Sequence, residues 1–241
     1  MAYGFYRDET AELPHKPIPL AIYLIVEEAL RVAWQRLKGR TLANFDIKTA
    51  NEDKITLELY KVFYDEVFDR GLVDGFDEDR FTVGTRESKF PNYDGTKPDL
   101  MPDLIVAIKG RSDVSLRTQD WLFIECKPVD ADHTVGVHYG AKGIARFIRG
   151  EYAWAMTSAL MVGYASPGYT IVPKLVKTLA IIGGRGKEFE VLQVPKPCGK
   201  STATAFAERV HSTKHGRTFC YVENGKHAPL IELRHLWLTR N

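Results

Sequence analysis

The chain has 241 residues, of which 44% are hydrophobic and 27% are charged, and its formal net charge is +2. This balance is that of a globular protein and excludes a chain that is disordered throughout. The longest apolar stretch near the N-terminus, residues 20–26, is far shorter than the roughly 20 residues that span a bilayer, and no secretory signal pattern precedes it. Three cysteines are too few for a disulfide framework, so we expect a cytoplasmic protein without a membrane anchor.

Charge is distributed unevenly along the chain. Residues 51–80 contain ten acidic and four basic residues, whereas residues 133–241 contain fifteen basic and six acidic residues. A basic half beside an acidic segment suits a polyanionic partner with a metal site nearby. Ordinary surface variation produces the same asymmetry, so charge alone does not decide the function.

Two amphipathic helices are predicted in the N-terminal part of the chain. The first covers residues 19–37, where apolar and polar positions recur at helical spacing. The second covers residues 51–70, and Asn51 is its candidate N-cap. We expect residues 1–50 to form an N-terminal extension with one helix, and residues 51–241 to form the main domain with a basic C-terminal elaboration.

The rest of the chain alternates between short apolar runs and helical patterns. The predicted strands cover residues 80–83, 103–108, 121–127, 160–165, 188–194 and 231–239, and the predicted helices cover residues 139–158 and 170–180. The second and third of these strands are expected to form a hairpin with a long polar connection. This order predicts an α/β or α+β fold with a central mixed β-sheet flanked by helices.

Charged side chains stand at the ends of the two hairpin strands. Asp103 precedes the run Leu-Ile-Val-Ala-Ile, and Glu125 and Lys127 follow the run Trp-Leu-Phe-Ile. Because side chains alternate along a strand, Glu125 and Lys127 share one face, and pairing can bring Asp103 to the same face. Two carboxylates there repel each other unless a cation joins them, and their hard oxygen atoms suit Mg²⁺ or Mn²⁺. A salt-bridge cluster that caps the hairpin would use the same three residues.

The pattern Pro102-Asp103 followed by Glu125-Cys126-Lys127 resembles the signature of the PD-(D/E)XK nuclease superfamily, which has the restriction-endonuclease-like fold. The resemblance implies that Asp103 and Glu125 ligate the metal and that Lys127 assists the attacking water. The core of that superfamily is a helix, then a mixed sheet with the motif on its second and third strands, then another helix. The elements predicted here follow the same order.

The resemblance also implies a metal-associated glutamate on the first core helix. Glu52 is the best match and Glu58 is the reserve, although an acidic residue in the first turn of a helix also complements the helix dipole. Asp99 belongs to an earlier Pro-Asp pair, but Asp103 directly starts the strand and is therefore preferred. Asp94 is a weaker candidate for a further ligand.

Basic residues after the motif are candidate contacts for the nucleic-acid backbone. Lys142, Arg146 and Arg149 follow one another at spacings of four and three residues, so they would share one helix face. In the superfamily that this chain resembles, this helix commonly flanks the active site and can touch nucleic acid. Lys214 and Arg217 form a second basic segment. An ordinary solvated face is the alternative for both groups.

Four potential zinc ligands lie near the C-terminus, namely Cys198, His211, His215 and Cys220. The spacing of the two histidines would suit one face of a helix. The order of the four and the lack of paired cysteines match no familiar zinc arrangement, so the sequence gives zinc little support and leaves the question open.

The resemblance implies an Mg²⁺-dependent endodeoxyribonuclease that hydrolyses DNA phosphodiester bonds, in bacterial or phage defence or restriction. The alternatives are a repair or recombination nuclease of the same fold and a non-catalytic member that binds nucleic acid or protein. Cleavage of both strands would suit a homodimer, and a targeting or activating protein partner is a further possibility. Cleavage specificity, the choice between DNA and RNA and the number of metal ions stay open.

Overall fold

The computed structural model describes residues 12–111, 114–198 and 210–241. Within these ranges, a seven-stranded mixed β-sheet is flanked by helices, which confirms the predicted fold class. The strands are β1 (Phe81–Val83), β2 (Leu104–Ile108), β3 (Trp121–Val129), β4 (Ser158–Ala165), β5 (Val191–Pro197), β6 (His211–His215) and β7 (Ile231–Thr239).

Four helices and a short 3₁₀ turn (Arg117–Gln119) connect these strands. The helices are α1 (Leu20–Lys38), α2 (Glu52–Lys61, continued by the π-helical segment Val62–Phe68), α3 (π-helical Val135–Ile144, then α-helical Ala145–Ile148) and α4 (π-helical Ile171–Leu175, then α-helical Val176–Thr178). In the described part of the chain, none of them is long and apolar enough to cross a membrane.

The strand order across the sheet is β1-β2-β3-β4-β7-β6-β5. Strands β3, β4 and β7 run parallel to one another, and the other neighbours are antiparallel. The predicted hairpin is confirmed, since β2 and β3 pair with Leu104 opposite Ile124. The parallel step from β3 to β4 needs a crossover, and α3 supplies it.

Helix α1 packs into the same hydrophobic cluster as the sheet. Glu27 on α1 forms a buried ion pair with Arg234 on β7, with Oε2 and Nη2 3.1 Å apart. The Trp34 ring stacks on Tyr164 of β4 with ring centroids 5.4 Å apart. Helix α1, which lies in the predicted extension, therefore shares one hydrophobic core with the sheet of the main domain. Residues 1–11 of the predicted extension lie outside the described residues.

The helix predicted over residues 139–158 differs from the observed one. Helix α3 begins at Val135 and ends at Ile148, ten residues earlier than predicted. Gly150 ends it, because this residue adopts a φ of +68° and a Cβ there would lie 2.7 Å from the Phe219 ring. A continuing α-helix would place the following residues where Phe219 packs.

Strand β6 was not predicted, because its sequence His-Ser-Thr-Lys-His is polar. It is buried through a chain of hydrogen-bonded side chains. His215 Nδ1 lies 2.6 Å from the Phe189 carbonyl oxygen, and Thr213 Oγ1 lies 2.7 Å from His215 Nε2 and 2.8 Å from His235 Nε2. The chain continues to Tyr139, whose hydroxyl lies 3.0 Å from His235 Nδ1. Both ring nitrogens of His215 are therefore occupied by protein groups, which contradicts its suggested role as a zinc ligand.

One assignment of the donors satisfies both histidines in their neutral form. His215 donates from Nδ1 to a carbonyl, so its Nε2 accepts from Thr213, and the Thr213 oxygen then accepts from His235. Burial lowers the pKa of His215 to about 4, although the hydrogen bond to Phe189 opposes the shift. Burial and the neighbouring His215, His211 and Arg234 also lower the pKa of His235.

We expect the free energy of unfolding to fall as the pH is lowered from 6.5 towards 4. The unfolded chain binds a proton at His215 first, because the folded-state pKa lies below the ordinary value, and this loss amounts to at most about 3 kcal/mol. Urea denaturation across this pH range measures it. His215→Gln should be less stable at neutral pH and should have a flatter pH dependence. His227→Gln, at an exposed position, should keep the wild-type slope.

Candidate active site

The residues predicted to carry chemistry meet where α2, β2 and β3 come together. Leu104 pairs with Ile124, so continuing the register by one residue brings Asp103 opposite Glu125. Lys127 lies two residues further along β3 and on the same face, as the alternation of strand side chains requires. Helix α2 begins beside them at Glu52. The structure thus brings the four predicted residues together.

The Lys127 ammonium lies among three carboxylates. Its Nζ is 2.6 Å from Glu52 Oε1, 2.9 Å from Glu125 Oε1 and 3.6 Å from Asp103 Oδ2. It also donates a 2.9 Å hydrogen bond to the Cys126 carbonyl. Burial lowers the pKa of Lys127, but the three carboxylates outweigh it and the net pKa is raised. The ammonium is thus held firmly in its charged form.

Glu125 is the most deeply buried carboxylate of the cluster, with a side chain only 2% exposed. Its Oε2 has no hydrogen-bond partner in the structure. Burial, reinforced by the negative charge of Asp103, raises the pKa of Glu125 to about 8, although Lys127 and Arg146 act in the opposite direction. The two cationic side chains therefore do not offset the effects of burial and of Asp103 on the pKa of Glu125.

The local backbone fixes the other two carboxylates. Asp103 Oδ2 accepts a 2.7 Å hydrogen bond from the Cys126 N–H, which ties the start of β2 to β3. Asn51 caps α2 as predicted, because its side chain accepts from the Lys54 N–H at 3.0 Å. Thr56 Oγ1 donates to the Glu52 carbonyl at 2.9 Å. The first turn of α2 is held in place, and Glu52 with it.

The other candidate acidic residues lie away from the cluster. Glu58 pairs with Lys61 at 2.7 Å, one turn further along α2. Asp99 pairs with Lys89 at 3.2 Å on exposed loop residues. Asp94 accepts hydrogen bonds from the backbone and hydroxyl of Thr96 within its own turn. Of the alternatives, Glu52 rather than Glu58 and Asp103 rather than Asp99 lie beside the Lys127 ammonium.

Helix α3 covers the cluster from the side of β4. Gly143 allows this close approach, since a Cβ there would lie 2.7 Å from Met161 Cε and 3.4 Å from Lys127 Cγ. Arg146, one turn further, has its Nε 3.7 Å from Glu125 Oε1. Arg146 was predicted only as a backbone contact for nucleic acid, but it also belongs to the carboxylate cluster.

Tyr152 is a residue of the site that sequence reasoning missed. Its hydroxyl accepts a hydrogen bond from Arg146 Nη1 and donates one of 2.7 Å to the carbonyl of Met101, two residues before Asp103. The guanidinium carbon of Arg146 lies 5.1 Å from the centroid of the Tyr152 ring. Tyr152 follows α3 in an irregular loop, and no periodicity in the sequence marks that position.

The remaining basic candidates are dispersed. Lys142 and Arg149 are exposed on α3, and Arg149 Nε lies 3.3 Å from Glu151. Lys214 is on β6, in the other half of the sheet. Arg217 is only 3% exposed and donates to three backbone carbonyls in the loop after α3. The expectation that Arg217 contacts phosphate is therefore wrong, because its guanidinium is buried and used to hold that loop.

Comparison with protein-family models, with curated proteins and with solved structures finds no match to this chain. Among the residues that the structure describes, no group of three or more histidine, cysteine, aspartate or glutamate side chains is arranged to hold a metal ion. The Lys127 ammonium occupies the place where the three carboxylates converge. The donor chemistry still suits a hard cation, because Asp103 and Glu125 present oxygen atoms and one Glu125 oxygen has no partner.

We expect Lys127→Met to make the stability of the protein depend on divalent cations. The substitution removes the nearest positive charge from three carboxylates, so unfolding in EDTA should become easier by about 3 kcal/mol. Added Mg²⁺ should raise the melting temperature of this variant more than that of the wild type.

Lys61→Met is the matched control, because it removes an exposed lysine from its ion pair with the partly buried Glu58, outside the cluster. Its melting temperature should hardly change in either buffer. A Lys127→Met variant that Mg²⁺ does not stabilise would show that the carboxylates have no affinity for the cation.

Proposed function

We propose that the protein is a divalent-metal-dependent nuclease that hydrolyses DNA phosphodiester bonds. The observation that carries this proposal is the convergence of Asp103, Glu125 and Lys127 on one face of a hairpin, with Glu52 completing the cluster. The order of α2, the strands β1 to β3, α3 and β4 agrees with the restriction-endonuclease-like core that the motif implies. We propose that core for this chain on both grounds.

The residues that would hold the metal are Asp103 and Glu125, with Glu52 as a further ligand or a water-orienting group. Their hard oxygen atoms favour Mg²⁺ or Mn²⁺ over softer metals. The unpartnered Oε2 of Glu125, its burial and the negative charge of Asp103 beside it support a cation at this position. When bound, such an ion polarises a phosphoryl oxygen and lowers the pKa of a coordinated water.

The cationic side chains act on the phosphate and the water. The Lys127 ammonium, fixed by Glu52 and the Cys126 carbonyl, stabilises negative charge that develops on the phosphoryl oxygens. The raised pKa of Lys127 favours this role over that of a proton acceptor. Arg146 is partly exposed beside Glu125 and supplies a second cation to the same phosphate. Exposed Lys142 and Arg149 on α3 are further candidates for contacts with the backbone.

A role in bacterial or phage defence is the setting that the motif suggests, with DNA repair or recombination as the alternative. The second candidate function is a non-catalytic protein that binds nucleic acid. The specific observation in its favour is the position of Lys127, because an ammonium among three carboxylates is also a self-contained ion-pair network.

A cleavage assay separates the two candidates. Plasmid, linear duplex, single-stranded DNA and RNA are incubated with the protein in Mg²⁺, Mn²⁺, Ca²⁺ or EDTA. We expect cleavage of DNA in Mg²⁺ or Mn²⁺, little in Ca²⁺ and none in EDTA. Asp103→Asn should cut more slowly by orders of magnitude while still binding DNA. Cleavage in EDTA, or an Asp103→Asn variant as active as the wild type, would contradict the metal mechanism.

Two glutamates on the same helix provide a matched test of the role of Glu52. Glu52→Gln removes a charge 2.6 Å from the Lys127 ammonium, whereas Glu58→Gln removes one from the ion pair with Lys61, outside the cluster. We expect the first variant to lose about 10²-fold or more in cleavage rate with a small change in melting temperature, and the second to cut like the wild type. Equal activities would leave Glu52 as a complement to the helix dipole.

A further inference from the structure

The turn between α4 and β5 exposes two adjacent aliphatic side chains, Ile181 and Ile182, near several charged residues. We call residues 180–187 the basic turn. Ile182 in this turn is 92% exposed, more than any other large hydrophobic residue among those described. The chain contains no acidic residue between Glu151 and Glu188. Ile182 buries almost no apolar surface in the free protein, and contact with a partner would bury it.

The basic turn is held firmly by its backbone. The Arg185 N–H donates to the Thr178 carbonyl at 2.7 Å, and the Gly186 N–H donates to the Ala180 carbonyl at 2.9 Å. Gly184 packs on the end of α4 so closely that a Cβ there would lie 2.5 Å from the Lys177 carbonyl oxygen. Ile182 is therefore presented on a stiff support.

Three exposed lysines lie in the basic turn or on the helix that precedes it. Lys174 and Lys177 lie on α4, and Lys187 ends the basic turn. Arg185 is bonded to Glu188, so that pair contributes little net charge. The three lysines outnumber the exposed Glu190 that follows this pair, and this excess provides the positive potential that attracts a polyanion.

The basic turn and the carboxylate cluster lie against the same helix. Arg185 packs on α3 at Gly136, where a Cβ would lie 2.4 Å from its Nη1, and Lys127 packs on α3 at Gly143. Seven residues of helix, or about two turns, separate the two contacts. One DNA duplex can span both places, because a helical turn of the duplex is about 34 Å long.

We propose that the basic turn is a second DNA contact, at which Ile182 enters a groove and wedges against the base pairs while Lys174, Lys177 and Lys187 bind phosphates. Many proteins bend a duplex by inserting apolar side chains between its base pairs, which unstacks them, while cationic side chains contact the DNA nearby. This inference rests on the proposed function, since it takes duplex DNA as the substrate, and it names where that substrate is gripped outside the catalytic cluster.

The surroundings of Ile182 favour DNA over other partners. A protein-binding surface needs a contiguous apolar patch of several hundred Å². The exposed Ile181–Ile182 pair is followed directly by two glycines and a charged side chain, so the pair is too small to form such a patch. An anionic membrane is the other polyanion into which the Ile182 side chain could insert. Stable membrane attachment usually buries the whole apolar face of a helix, which a single short turn does not offer.

The test measures binding and base unstacking without cleavage. Full-length protein in EDTA is titrated into a DNA duplex that carries 2-aminopurine, and anisotropy and fluorescence intensity are recorded at several salt concentrations. Wild type should bind and raise the 2-aminopurine fluorescence. Ile182→Ala should bind about tenfold more weakly and abolish the rise, with an unchanged melting temperature. The matched control is Val172→Ala, on α4 and 57% exposed, which should behave like the wild type.

The lysines are tested through the salt dependence. Lys177→Gln combined with Lys187→Gln should lower the slope of log affinity against log salt by about two, because fewer counterions are released. The proposal is overturned if Ile182→Ala and the double lysine variant both match the wild type. It is also overturned if the protein binds phosphatidylserine vesicles through Ile182 and leaves the duplex stacked.

The two proposals can fail separately. A protein that cuts DNA in Mg²⁺ but is indifferent to Ile182→Ala overturns the wedge alone. A protein that never cuts DNA, yet binds and unstacks it only when Ile182 is present, supports the wedge and contradicts the nuclease.

Discussion

The ammonium of Lys127 among three carboxylates is the interaction on which this part of the structure depends. Glu125 and Lys127 are almost completely buried, and a buried charge is tolerated only when it is paired. The pairing forces the start of α2, the start of β2 and the end of β3 to meet at one place. Three segments that are distant in sequence are thereby fixed within a few ångströms of each other, which is the precision that a catalytic centre needs.

The rest of the fold supports that meeting point. The antiparallel β2–β3 pair sets which residues face each other, and the parallel β3–β4 step requires α3 to cross over the same face. Gly143 lets α3 lie close to Lys127, and Arg146 brings a further cation to Glu125. Burial raises the pKa of Glu125, and its Oε2 has no hydrogen-bond partner, so a cation bound there would stabilise the ionised carboxylate.

The candidate site was predictable largely because strands and helix starts obey simple rules. Alternation along β3 puts Glu125 and Lys127 on one face, and the N-cap Asn51 marks where Glu52 stands. Other features depend on contacts between distant residues. Strand β6 is polar and is buried by hydrogen bonds, the end of α3 is set by the approach of Phe219 to Gly150, and Arg217 faces backbone carbonyls that only the folded chain brings together. No local pattern in the sequence records such contacts.

The central claim is that the carboxylate cluster binds a divalent cation. Titration of the wild type and of Asp103→Asn with Mn²⁺, followed by calorimetry or by electron paramagnetic resonance, tests this claim most directly. The account predicts saturable binding to the wild type that is strongly weakened in Asp103→Asn and unaffected in Glu58→Gln, since Glu58 lies outside the cluster. Failure of the wild type to bind Mn²⁺, or equal binding by wild type and Asp103→Asn, would contradict it and leave Lys127 at the centre of a purely structural ion-pair network.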